Sequence, residues 1–205
     1  MLVAPGDGND VKARYALSGM TMYVTRPGAE TERRMYAGVV IEALATSKDD
    51  EVKAFLIRQL QLAGRDESVA ALAEFVGDKR LCEPATQALL AIRTPAAEMV
   101  LLRALASAEG ANRVTIIKAL GELRCKTAAK ELIKYAASRD TNTRRTALYA
   151  VANIGDASAI DVLAEATQAT SSYERAGATS LYLLLARRLA EAGQKQQCIK
   201  ICSGL

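Results

Sequence analysis

The sequence predicts an all-α protein, an α-α superhelix of about six stacked helical hairpins. Three observations carry that prediction. The stretch from Asn142 to Thr167, NTRRTALYAVANIGDASAIDVLAEAT, holds two apolar runs at helical spacing joined by a Gly-Asp turn. The pattern then returns up the chain: a shift of 31 residues lays Val151, Ile154 and Leu163 on Leu120, Leu123 and Leu132, and a second reaches Leu89, Ile92 and Leu101. A step of 29 reaches Leu60, Ala63 and Leu72. The composition fits, being half apolar and mostly Ala and Leu, with 4% aromatic residues, four Pro and no Trp. A hairpin of two short amphipathic helices cannot bury its apolar side alone, so a period near 30 means units that are stable only when stacked.

The 205 residues read as one continuous domain with atypical ends. Residues 1–48 form a longer first unit. After an irregular lead-in with Pro5, Gly6 and Gly8, Asp10 caps a helix bearing Val11, Tyr15, Leu17 and Met22. Arg26, Pro27 and Gly28 break it, and a second helix runs from Ala29 to Thr46 with Glu30 and Glu32 in its favourable first turn. Residues 49–170 hold the regular repeats. The second unit starts at Asp49 and Asp50, turns at Gly64 and continues from Glu67 to Val76. The third begins after Asp78, with Pro84 in a first helical turn and Thr94-Pro95 opening its partner helix. Gly110 and Ala111 open the fourth, whose turn at Arg124 to Thr127 lacks a Gly, and the Asn142 hairpin is the fifth. Residues 171–205 diverge: SLYLLLARRLAEAG makes a longer helix, followed after Gly193 by QKQQCIKIC.

Alignment of the units separates packing from surface. The columns Leu72, Leu101, Leu132, Leu163 and Leu60, Leu89, Leu120, Val151 are core. The column Lys53, Cys82, Arg113, Arg144, Arg175, with Lys12 as a possible earlier member, sets cations near helix N-termini, against the dipole. Such a ladder is explained by carbonyls ending the preceding unit, or by acidic turn residues such as Asp140 or Asp156. The alternative is a row of basic groups about 10 Å apart facing an anionic ligand. The second helices add Glu74, Arg103, Lys134 and Glu165, with Lys130 a turn before Lys134. Arg103, Lys130 and Lys134, joined by Arg113, Arg144 and Arg175, are the candidate partner-binding residues. Their mixed-sign surroundings suit a protein or peptide, and a solvated face is the plain alternative.

Charge and cysteines narrow the classes. The net charge of +4 is uneven, with 14 Lys and Arg against 8 Asp and Glu from Gly110 onward and 13 against 15 before it. Nucleic-acid or polyanion binding through the basic C-terminal half is therefore the alternative function, with nucleic acid the less favoured partner. Cys82 and Cys125 fall at opposite ends of their units, out of disulfide reach. Cys198 and Cys202 share a helix face, but with no His in the chain a metal would lack further ligands. MLVAPGDGND has no sustained apolar core, so no secretory signal is expected, and the longest apolar run, Leu181 to Ala186, is too short for a bilayer span. The chain reads as soluble, cytoplasmic, or periplasmic if excerpted from a longer exported protein.

DTNTRRTALYAVANIGDASAIDVLAEA, and its variant DDEVKAFLIRQLQLAGRDESVAALAEF, resemble HEAT repeats, in particular the short phycobilisome-lyase type within the armadillo-like class. The resemblance covers residues 49 to 170 and implies fold rather than activity. Cys82 and Arg124 depart from the family pattern, replacing a basic residue and a turn Gly. The final hairpin is similar to a tetratricopeptide-type pair. ARYALSGMTMYVTRPGAETER resembles HEAT segments of large bacterial proteins that also carry sugar-active or other catalytic domains. That implies an accessory module. No nucleophile, base and oxyanion donor converge, and no Gly-rich phosphate loop or metal pattern is present. The expectation is a non-catalytic interaction scaffold with no cofactor and no metal.

Overall fold

The computed structural model describes residues 1–204, and every regular element among them is helical. The helices pack as two compact units, Met1–Ala108 and Glu109–Leu205. The first unit contains α1 (Val11–Val24), α2 (Glu30–Thr46), α3 (Asp50–Ala63), α4 (Asp66–Ala73), α5 (Cys82–Ile92) and α6 (Pro95–Leu105). The second contains α7 (Gly110–Leu123), α8 (Ala129–Tyr135), α9 (Thr141–Ile154), α10 (Ile160–Ala166), α11 (Ser172–Glu191) and α12 (Lys195–Ser203). In the first unit α2 lies on α3 and α3 on α5. In the second, α9 lies between α7 and α11, and α12 covers α11.

Local chemistry sets most boundaries. Asp49 accepts from the Val52 amide at 3.0 Å, Asp140 from Thr143 at 2.7 Å and Thr94 from Ala97 at 3.4 Å, each satisfying an N-terminal donor that the helix cannot. Asp10 departs from the expected cap. Its carboxylate accepts instead from the Val3 amide at 3.2 Å and from Arg14 Nε at 2.8 Å, the charge-assisted bond prevailing. α4 ends at Ala73 rather than Val76, because Phe75 and Val76 donate to Leu72 and Ala73 and so tighten the chain into turns.

Arg93, Arg124 and Gly155 sit 31 residues apart, each ending a first helix in the left-handed region, at φ +56°, +55° and +74°. The missing glycines at Arg93 and Arg124 therefore leave the turn geometry unchanged. The strain falls on the arginine backbone, at a cost of about 1–2 kcal/mol each.

The two apolar columns are the core: all eight of their side chains are fully buried. α7 and α9 approach most closely at Gly121, where a Cβ would lie 2.6 Å from both Cα and Cβ of Ala150.

Polar groups tie the helices where apolar packing cannot. Arg33, 3% exposed, reaches from α2 to the Ala63 carbonyl at the end of α3 (2.6 Å) and to Glu67 in α4, while Glu30 covers its other nitrogens. In the first hairpin, Thr21 Oγ1 lies 2.6 Å from the Tyr36 hydroxyl and 2.8 Å from Gln59 Oε1, pinning α1 to α2 and α3. In the second unit, buried Asn153 donates to the Gly121 carbonyl at 3.0 Å and accepts from Arg188 at 2.8 Å, linking α7, α9 and α11.

Two sets of measurements follow. Thermal unfolding of Leu132→Ala is expected to show a loss of about 2–5 kcal/mol from the cavity, and Gly121→Ala a loss of about 1–3 kcal/mol from overpacking. Burial works to raise the Glu67 carboxyl, but the Arg33 hydrogen bond and nearby backbone amides hold it below its ordinary range. A depressed carboxylate contributes its stability in full above the unfolded value near 4.3, and loses it as pH falls through the folded value. Stability should therefore fall on acidification below about pH 4, and Arg33→Met should remove the Glu67 part of that loss while lowering stability at neutral pH.

Candidate functional site

The six candidate cations occupy different settings. Arg103 is exposed on α6 of the first unit. Lys130 and Lys134 are exposed one turn apart on α8. The Lys134 ammonium lies against Glu131, which raises its pKa through that hydrogen bond. Arg113 lies 5.5 Å from the centroid of Tyr135, within its own hairpin, as Lys53 lies 5.7 Å from that of Phe75. Arg144 donates to the Ser138 carbonyl at 3.1 Å and pairs with Glu174 at 3.4 Å. Arg175 donates to the carbonyls of Ala169 at 2.9 Å and Thr170 at 2.7 Å. Both reach carbonyls just beyond the preceding second helix, which is how they offset their place at a helix N-terminus.

Of the six, Arg144 lines a concavity of the second unit. This is a half-open groove of about 680 Å³ where α8 and α10 end and α9 and α11 begin. Its floor is apolar, with Leu148 from α9, Val162 and Ala166 from α10, and Leu181 from α11. Gly177 of α11 lies along it, and a Cβ built there would meet no atom within 4 Å. The rim carries the Arg144–Glu174 pair, Glu165, and Arg145 with Tyr173. Arg145 donates to the Tyr173 hydroxyl at 3.0 Å and lies 5.4 Å from the ring centroid, so the ring fixes the guanidinium in place. It is mostly exposed and has no carboxylate within ion-pair distance among the described residues.

Sequence reasoning singled out Arg144 and Glu165 here and passed over Arg145, Tyr173, Leu148 and Leu181. The signals were the doubled arginine of NTRRT and a tyrosine in the first turn after SS, where an apolar ring has no core to enter. A second, shallow depression in the first unit, at Glu30, Arg34, Arg65 and Asp66, surrounds the Arg33 clamp already described.

Reactive chemistry is sparse. No group of three His, Cys, Asp or Glu suited to a metal occurs among the described residues, and none of their helices is long and apolar enough to cross a membrane. All four cysteines are free thiols. Burial pushes the Cys82 thiol up, and burial with the neighbouring Cys202 does the same to Cys198, which disfavours thiolate nucleophiles.

The family model described as HEAT repeats matches residues 98–182. That stretch is similar to HEAT repeats. Solved structures extend the likeness in fold. An engineered protein, 19% identical, superposes with a TM-score of 0.53 over 89% of this chain and 94% of that one. The complex of CpcE and CpcF of phycocyanin lyase from Nostoc sp. PCC7120 gives 15% identity and a TM-score of 0.52, over 99% of this chain and 94% of that one. No curated protein matches the sequence significantly. The fold is thus that of the HEAT-like α-solenoids, a class that serves as interaction modules. At these identities the likeness carries no activity across.

Removing a charged carbonyl bond at a helix junction has a measurable cost: Arg175→Ala should lower stability by about 0.5–1.5 kcal/mol in chemical denaturation.

Proposed function

We propose that this chain is a non-catalytic HEAT-like scaffold that binds a protein segment, with the second-unit groove as its principal contact and the second-helix cations Arg103, Lys130 and Lys134 as a supporting surface. The observation that carries this reading is the apolar groove beside Arg145, which has no carboxylate partner among the described residues. Its floor suits two or three apolar anchors, and Arg145 suits an acidic side chain next to them, so the occupant is an amphipathic, acid-bearing segment. We further read the chain as an accessory module of a larger bacterial protein with a catalytic or sugar-active domain, on the resemblance of its opening segment alone.

Polyanion binding through the C-terminal half draws less support. Arg124, Arg187 and Arg188 all pair with Glu191, and Arg144, Arg175 and Lys134 are engaged as described. These cations are tied to carboxylates and carbonyls of the fold, although this half keeps its net positive charge.

The test is affinity by calorimetry for a partner captured on the immobilised chain. Leu148→Glu with Leu181→Glu should weaken binding by at least about tenfold, and Arg145→Ala should weaken it further than Arg58→Ala on α3. Charge reversal at Arg103, Lys130 and Lys134 should have a smaller effect. Binding that survives all of these would contradict the reading. Duplex DNA should bind weakly or not at all; strong binding that collapses between low and physiological salt would favour the polyanion alternative.

A further inference from the structure

Two of the regular hairpins carry the same internal stack. In the hairpin of α3 and α4, the Lys53 ammonium lies 5.7 Å from the centroid of Phe75, just past α4. In that of α7 and α8, the Arg113 guanidinium lies 5.5 Å from the centroid of Tyr135, the last residue of α8. The ring follows the cation by 22 residues in both, so a charge at the start of the first helix meets an aromatic side chain at the end of the second.

The same spacing shows what the other two regular hairpins lack. In the hairpin of α5 and α6 both partners are gone together, with buried Cys82 in the place of the cation and Ala104 in that of the ring. In the hairpin of α9 and α10 only one is gone. Arg144 keeps the cation, whereas Ala166, the last residue of α10, stands where the ring would be. Alone, Ala166 says nothing; set against Phe75 and Tyr135, it marks a missing ring. Arg144 and Ala166 both line the groove of the second unit.

The cation at this place is still able to stack. Among the described residues no ring lies over Arg144, and the one aromatic side chain lining the groove, Tyr173, is stacked on Arg145. Arg144 bonds the Ser138 carbonyl and Glu174 through its N–H groups, which point outward in the guanidinium plane, and stacking uses a face of that plane instead. The groove, about 680 Å³, has room for a ring together with smaller anchors over Leu148 and Leu181.

On the reading of this groove as the docking place for a protein segment, we infer that the segment brings an aromatic side chain, Phe, Tyr or Trp, that settles over Ala166 against Arg144. It thereby replaces the ring this hairpin has lost, and an Asp or Glu close to it in the same segment meets Arg145.

Random dodecapeptides displayed on phage can be selected on the immobilised full chain, and the tightest synthesised for calorimetry. It should carry an aromatic residue with an acid nearby, and Leu in place of that aromatic should weaken binding by at least about tenfold. Arg144→Met should cost the aromatic peptide about threefold more than its Leu version, which separates the stack from any general effect of losing Arg144. Ala166→Tyr rebuilds the ring of the α7–α8 hairpin: it should unfold at or above the wild-type temperature yet weaken the peptide by at least about tenfold, whereas Ala166→Ser should leave binding unchanged. Peptides that Leu148→Glu releases, but that hold by aliphatic anchors and ignore Ala166→Tyr, overturn the inference and leave the groove as a docking place. Peptides indifferent to Leu148→Glu, or none at all, overturn both. A marked loss of stability in Ala166→Tyr also overturns the inference, since the place would not accept a ring.

Discussion

A hairpin of this chain has no inside of its own. In the regular repeats two helices of seven to fourteen residues offer an apolar stripe each, and once those stripes meet, apolar surface still faces outward. Only a neighbour on each side closes it. The buried columns are the direct outcome within each unit: Leu60, Leu72, Leu89 and Leu101 in the first and Leu120, Leu132, Val151 and Leu163 in the second are fully buried. Stability is in this sense a property of junctions. Small residues set how tight a junction becomes, as Gly121 does under Ala150.

Polar groups refine what apolar packing begins. Arg33 and Asn153 perform related tasks in the two units, each reaching a carbonyl near the end of a first helix, where the last turn leaves acceptors unmet. Arg144 and Arg175 do the same at the exits of second helices. These cations are committed to the fold before they can serve a ligand. That shifts attention from the number of basic residues to the few that keep their charge available, of which Arg145 on its tyrosine is the clearest.

What was legible in the sequence followed the repeat. Leu132 and Leu163 declared themselves core because they recur, and Asp49, Thr94 and Asp140 declared helix starts because capping is local chemistry. The turn at Arg124 read as a departure, yet its backbone matches that of Gly155, since stacking holds the geometry in spite of the strain. Features that occur once were harder to see. Arg33 and Thr21 lie in the out-of-register first hairpin, with no column to expose them, and Gln59 stands alone in a column that is otherwise Ala88, Ala119 and Ala150. The groove was hidden for another reason. Gly177 and Ala166 carry no sequence signal of their own, and the groove they line arises only when α10 and α11 are set side by side. Asp10 shows the limit of local rules, since a nearby arginine redirected a carboxylate placed to cap.

Residue-resolved hydrogen exchange under native conditions tests the dependence on neighbours most directly. Helices flanked on both sides within their unit, α3 and α9 above all, should exchange slowest, and their slow amides should cluster at Leu60 and Val151. α12, packed chiefly against α11, should open well before them. Protection in α12 equal to that in α9, or early exchange of α9 while α12 stays closed, would contradict an architecture held together junction by junction.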